Sequence, residues 1–203
     1  MVSSRSIPVR AIALFLAAFA FSVTIRSQAD TLIIRSPGDH SRYTFEAEPH
    51  LLLGVIDPPG VGSGTGLGLG FRGTVVLVNN GFVQSINNSI GIGFGIDWVH
   101  YGHGRQRCNA DPGPAGGCYS YSDNESVNNL WLPVVMQWNF FLSRQWSVFG
   151  EPGFGVRYTS YPGDSVLNVD PTLYVGGRWH FSDSMTLTMR LGYPTFSVGV
   201  SFL

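Results

Sequence analysis

One pattern constrains this chain more than any other. From residue 43 onward apolar and polar residues alternate, and every charge within the alternating segments falls on the polar side. Eight segments carry the pattern, at roughly 43–55, 64–76, 88–101, 128–142, 146–158, 168–181, 185–193 and 195–203. A period of two places successive side chains on opposite faces of a β-strand. The apolar face runs through Phe45, Ala47, Leu51 and Leu53 in the first segment and Leu67, Leu69 and Phe71 in the second. It continues in the same way to Phe196, Val198, Val200 and Phe202 in the last. The opposite face carries Glu46, Glu48, Arg72, Asp97, Glu151, Arg157, Asp170, Arg178 and Arg190.

Alternation alone also fits a soluble sandwich, whose outer face is rich in lysine and glutamate. Here only 12% of residues are charged, and the sequence contains no lysine. The continuous apolar face is therefore the outer one, in contact with lipid. The fold expected is all-β, an eight-stranded antiparallel up-and-down transmembrane β-barrel. A net charge of -1 gives no support to nucleic-acid binding, which requires a basic face.

The stretch "GSGTGLGLGFRGTV" (62–75) has the look of a phosphate-binding loop. Such a loop needs a helix after its glycines, to receive the phosphate at its N-terminus. Gly70 instead leads into a run of β-formers ending at the turn signal Asn79-Asn80-Gly81. The glycines recur every second residue, so they share a strand face. Gly66, Gly68, Gly70, Gly91, Gly93, Gly95, Gly153 and Gly155 are expected to face inward and leave room for large polar neighbours. No cofactor is expected, and no catalytic or resident metal site.

The N-terminus reads as an export signal. Arg5 and Arg10 precede an apolar run from Ala11 to Val23, and Ser27 and Ala29 place small residues before a cleavage point at Asp30. The organisation expected is a signal peptide over 1–29, a periplasmic lead-in over 30–42 and the barrel over 43–203. Cys108 and Cys118 flank the turn-rich "NADPGPAGG". In an exported protein a disulfide between them is favoured, stabilising by about 2–3 kcal/mol, over a Cys/His metal site with His100 and His103.

Connections differ by end. Ser143-Arg144-Gln145 and Ser182-Asp183-Ser184 are tight, whereas "DPPGVGS", residues 102–127 and "TSYPGDSVLN" are longer loops on the other side, the arrangement of outer-membrane barrels. Aromatic residues sort accordingly: Trp138, Phe140, Trp146, Trp179 and Phe181 at the short-turn end, and Trp98, Tyr101, Tyr158 and Tyr193 at the loop end.

These features resemble the bacterial eight-stranded outer-membrane β-barrels of the small OmpA-like class, over about residues 43–203. The ending "YPTFSVGVSFL" is similar to the C-terminal strand read by the barrel-insertion machinery, with Phe202 penultimate and Leu203 following where the class ends on an aromatic residue. The resemblance implies partners in outer-membrane lipid and that machinery.

Placed by height, Glu48, Arg72, Glu151 and Arg190 fall at mid-barrel, Asp97, Arg157 and Asp170 towards the loops, and Glu46, Arg178 and His180 towards the periplasm. Buried charges must pair, and Glu48–Arg72 and Glu151–Arg190 are the pairs expected. The role expected is structural or surface-interacting, not enzymatic, with a plugged interior and a possible extracellular ligand at loop 102–127. A narrow gated pore is the first alternative. An outer-leaflet lipid-modifying enzyme using His100, His103, Ser120, Ser122, Asp123 or Glu125 is the second.

Overall fold

The structure, a computed structural model, describes residues 31–54, 65–105, 125–161 and 164–203. For residues 103–105 and 125 only the backbone is described. The signal-peptide region, the Cys108–Cys118 pair and Ser120, Ser122 and Asp123 lie outside these residues.

Eight antiparallel strands form a closed barrel in sequence order. They are β1 (Phe45–Gly54), β2 (Gly66–Val78), β3 (Asn88–Arg105), β4 (Glu125–Phe141), β5 (Trp146–Tyr161), β6 (Asp164–Ser182), β7 (Met185–Tyr193) and β8 (Phe196–Phe202). Closure comes from β1 against β8, in a register that sets Leu51 beside Val198 and His50 beside Gly199. The period-two pattern decides which face is which. Leu67, Phe154, Leu173 and Val134 are among the most exposed residues, while Glu48 and Glu151 are wholly buried. Apolar side chains thus cover the outside and charges fill the inside, the inverse of a soluble domain.

Several inward glycines are holes for inward side chains. A Cβ at Gly70 would fall on His50 Nε2 and within 2.5 Å of Asp97 Oδ1, and a Cβ at Gly199 would lie 2.6 Å from the Cβ of His50. Large polar groups therefore occupy an interior that eight strands make only just wide enough for side chains.

Three details differ from the sequence-based expectation. Tyr101 points into the barrel, where it packs with Leu52, Val99 and Val127, instead of joining the outer aromatic belt. Its parity is that of Asp97 and Val99, which assigns it inward. The loop expected at 159–168 is mostly strand, because β5 and β6 stay paired up to Tyr161 opposite Asp164. Lastly, the segment before β1 is a strap docked on the short-turn end: Ile33 N–H donates to Leu142 O (2.9 Å), and Asn87 N–H donates to Ile34 O (2.7 Å).

The outer aromatic residues at the short-turn end do cluster. Trp146 stacks on Trp179 at 6.4 Å, and Trp138 lies 4.8 Å from Phe140. At the other end the rim is uneven. β6 pairs with β7 only as far as Leu173 opposite Tyr193, while β3 to β6 continue upward as a four-stranded wall.

Candidate functional site

The interior is organised around a ring of ionisable groups at mid-height. Arg190 on β7 donates from Nε to Glu151 Oε2 (3.0 Å) and from a terminal nitrogen to Glu48 on β1. Glu151 also accepts from Arg72 (3.0 Å) and from Gln137 (2.7 Å). Arg72 reaches onward to Asp97 (3.3 Å). Asp97 meets His50 Nε2 at 2.9 Å, and His50 Nδ1 faces Glu48 at 3.5 Å. The circuit runs Glu48–Arg190–Glu151–Arg72–Asp97–His50 and returns to Glu48. Its members come from β1, β2, β3, β5 and β7.

Small residues route these contacts. β8 offers only Ser197, Gly199 and Ser201 inward, so Arg190 passes over it to reach β1, while Ser201 donates to the second oxygen of Glu48 (2.9 Å). Arg72 leans towards β3 because Gly93 and Gly95 leave space there; a Cβ at Gly95 would sit 3.1 Å from Arg72 Nε. The expected pair Glu151–Arg190 forms. The expected pair Glu48–Arg72 does not, although the two are register partners on β1 and β2. Arg72 is drawn over the glycine floor of β3 to Glu151 and Asp97, and Arg190 serves Glu48 instead. For the same reason Asp97 belongs to the middle ring, not to a separate upper layer.

Two further layers lie on either side. Towards the short turns, Arg178 pairs with Glu46 (2.7 Å), donates to Asn139 Oδ1 (3.1 Å) and rests over the Phe149 ring (4.8 Å). His180 shares a hydrogen bond of 2.9 Å with Ser147 in this layer. Towards the loops, Arg157 pairs with Asp170 (2.9 Å). Above the ring lies the buried apolar group of Leu52, Val99, Tyr101 and Val127, beside a cavity of about 10 Å³, the size of one water. Sequence reasoning had all nine charges but missed His50, Gln137 and Asn139. Parity was the available signal, since His50 follows Glu46 and Glu48 at spacing two.

The strap forms a second feature. Asn87, fully buried, donates its side-chain N–H to Asp39 O (3.0 Å) and accepts from His40 Nδ1 (2.6 Å). His40 lies flat on Phe141 at 4.1 Å, and Arg144 pairs with Asp39 at 3.1 Å. Burial holds the His40 imidazole below its ordinary value. The strap's turn needs Gly38, whose φ of 78° is strained for any side chain. Between strap and barrel is a cavity of about 260 Å³ lined by His40, Tyr43, Phe141 and His180.

Of the residues considered for catalysis, His100 is exposed on the outer face and bonds Asn128 at 2.9 Å, not a serine. Among the described residues no group of three or more His, Cys, Asp or Glu side chains is placed to hold a metal ion.

The fold and its inverted polarity define an eight-stranded barrel with a lipid-type exterior. No protein-family model matches the chain, and no curated protein matches it. Among solved structures it is similar to Ail, the attachment invasion locus protein of Yersinia pestis, crystallised with the heparin analogue sucrose octasulfate. That alignment has 10% identity over 78% of this chain and 96% of that one, with a TM-score of 0.48. It is also similar to a de novo designed transmembrane β-barrel, at 10% identity over 83% and 98% of the two chains and a TM-score of 0.42.

Proposed function

We propose that the protein is exported by a cleaved signal peptide and inserted in the outer membrane as a non-enzymatic, plugged barrel. Its function is to present the β3–β6 wall at the cell surface for contact with an extracellular partner. The observation that carries this reading is the free edge of β6. From Asp164 to Thr172 this strand pairs with β5 on one side only, and no described residue pairs with its other edge. Val166, Leu167 and Val169 are exposed along it. An open edge of this kind accepts an extended segment of another chain through backbone hydrogen bonds, with alternate side chains setting preference. Such an edge is a liability in a protein that has no use for it.

The test is topological and chemical. A cysteine at Ser165, compared with the parent protein, is expected to react with a membrane-impermeant maleimide on intact cells. A photo-crosslinker at Val169 is expected to yield adducts with an external protein. Labelling only after lysis contradicts the orientation, and a wall that labels but never crosslinks contradicts the contact role.

A narrow gated pore is the second reading, favoured by one observation. Arg190 bonds Glu48 and Glu151 at once, so it has two acceptors between which to move. Single-channel current from the wild-type protein is the outcome that separates the two readings.

A further inference from the structure

We infer that His50 is an imidazolium that supplies a fifth positive charge among the described residues of the barrel interior and closes the mid-height ring as an alternating circuit. The inference deepens the plugged reading above and rests on it.

The charges demand it. Five carboxylates face the described interior, Glu46, Glu48, Asp97, Glu151 and Asp170, against four guanidiniums, Arg72, Arg157, Arg178 and Arg190. Among the described residues of the outer layers, Glu46 pairs with Arg178 and Asp170 with Arg157. Among the described groups the deficit falls on the ring, where Glu48, Asp97 and Glu151 share Arg72 and Arg190. An unpaired charge in such a place costs several kcal/mol. His50 stands at the gap.

The donor and acceptor pattern agrees. Nε2 meets Asp97 Oδ1 at 2.9 Å and Nδ1 faces Glu48 Oε1 at 3.5 Å. Ionised carboxylates only accept, so Nε2 carries hydrogen; Nδ1 is buried without a hydrogen bond, and a bare lone pair there would face the Glu48 carboxylate, so a second hydrogen relieves that repulsion and makes the ring a cation. The surroundings are shaped for this ring. Gly70 on β2 and Gly199 on β8 clear its space, and a side chain at either would overlap it. The other charges facing this region are Arg72 from β2, Glu151 from β5 and Arg190 from β7, all already engaged with one another. His180, the other inward histidine among the described residues, meets the Ser147 hydroxyl and forms no ion pair with a described carboxylate, so it does not fill the deficit. Among ring members only an imidazole changes charge in the neutral range by its own chemistry. The His50–Asp97 link, joining β1 to β3, is thus the one a single proton can make or break.

The experiment compares His50→Gln, Asp97→Asn and the double variant by urea titration in phospholipid vesicles, with imidazole nitrogen NMR of the wild type in nanodiscs. His50→Gln is expected to lower the folding equilibrium constant by about tenfold or more, because it strands a buried negative charge. Adding Asp97→Asn restores the balance and is expected to recover a large part of that loss. Losses that simply add would overturn the inference. If a variant does not fold, the wild-type spectrum decides at neutral pH: two protonated ring nitrogens support it, and one bare nitrogen overturns it. Current through the wild-type barrel would instead overturn the plugged reading, a distinct failure.

Discussion

The mid-height ring and the tip of the β5–β6 hairpin share strand β5 yet obey opposite rules. In the ring Arg72, Glu151 and Arg190 are buried and each touches at least two partners. At the hairpin tip Ser165, Val166 and Leu167 are exposed in succession, so neither face of the sheet is covered. Alternation is a response to having two different sides. Where lipid lies on one side and a crowded bore on the other, parity sorts every residue. Above the rim both sides are alike, and the pattern loses its meaning although the strand continues. Stability should accordingly concentrate in the ring, leaving the tip free for contact.

The largest effect expected is from Glu151→Leu, which takes away the carboxylate that Arg72 and Arg190 share, leaves them only Asp97 and Glu48, and so puts an excess positive charge in the buried ring. Removing one partner of a buried ion pair costs about 3–5 kcal/mol, and urea unfolding in vesicles should register a loss of that order. A loss below about 1 kcal/mol, by the same principle, would mean that water reaches the ring.

Gly70→Val tests the same region by volume instead of charge. The side chain would enter the space of His50 and Asp97, and overpacking of this kind costs about 1–3 kcal/mol. Valine is a good strand former, so an unchanged midpoint would show that the space at Gly70 is not needed.

A smaller, local effect is expected where the strap docks. Asn87→Ala removes two side-chain hydrogen bonds, together about 1–3 kcal/mol. Amide exchange in residues 31–43 should accelerate while the strand amides stay protected. The strap should also loosen in acid. The docked imidazole of His40 is depressed, so the undocked form takes up a proton first as pH falls below the ordinary histidine value of about 6.5. Docking is thus complete above that pH and is lost below it. Strap exchange that is insensitive to acid would contradict the role given to His40.

Leu167→Ser should have the least consequence, within about 0.5 kcal/mol, because exposed positions without special features are near neutral. A large destabilisation there would erase the contrast between ring and tip.

Much of the fold was legible in the residues themselves. The alternation of β1 and β8 and the absence of lysine required an inverted barrel, and β7 spans the expected residues 185–193. What could not be read was the route a long side chain takes. Glu48 and Arg72 are register partners, but an arginine spans several ångströms and goes where glycines leave space, which depends on β3 and β8. The strap escaped because its anchor, Asn87, sits in a connection with no periodic signal. His50 was visible by parity and was missed as a neutral residue among charged ones.

A membrane-spanning barrel whose bore is closed by paired charges should not conduct. Single-channel recording tests it most directly, using protein whose insertion into the bilayer is verified by protease protection. The wild type is predicted to remain silent at neutral pH, with openings appearing only when the ring is broken, as in Glu151→Gln. Steady current through the intact wild-type barrel would contradict it.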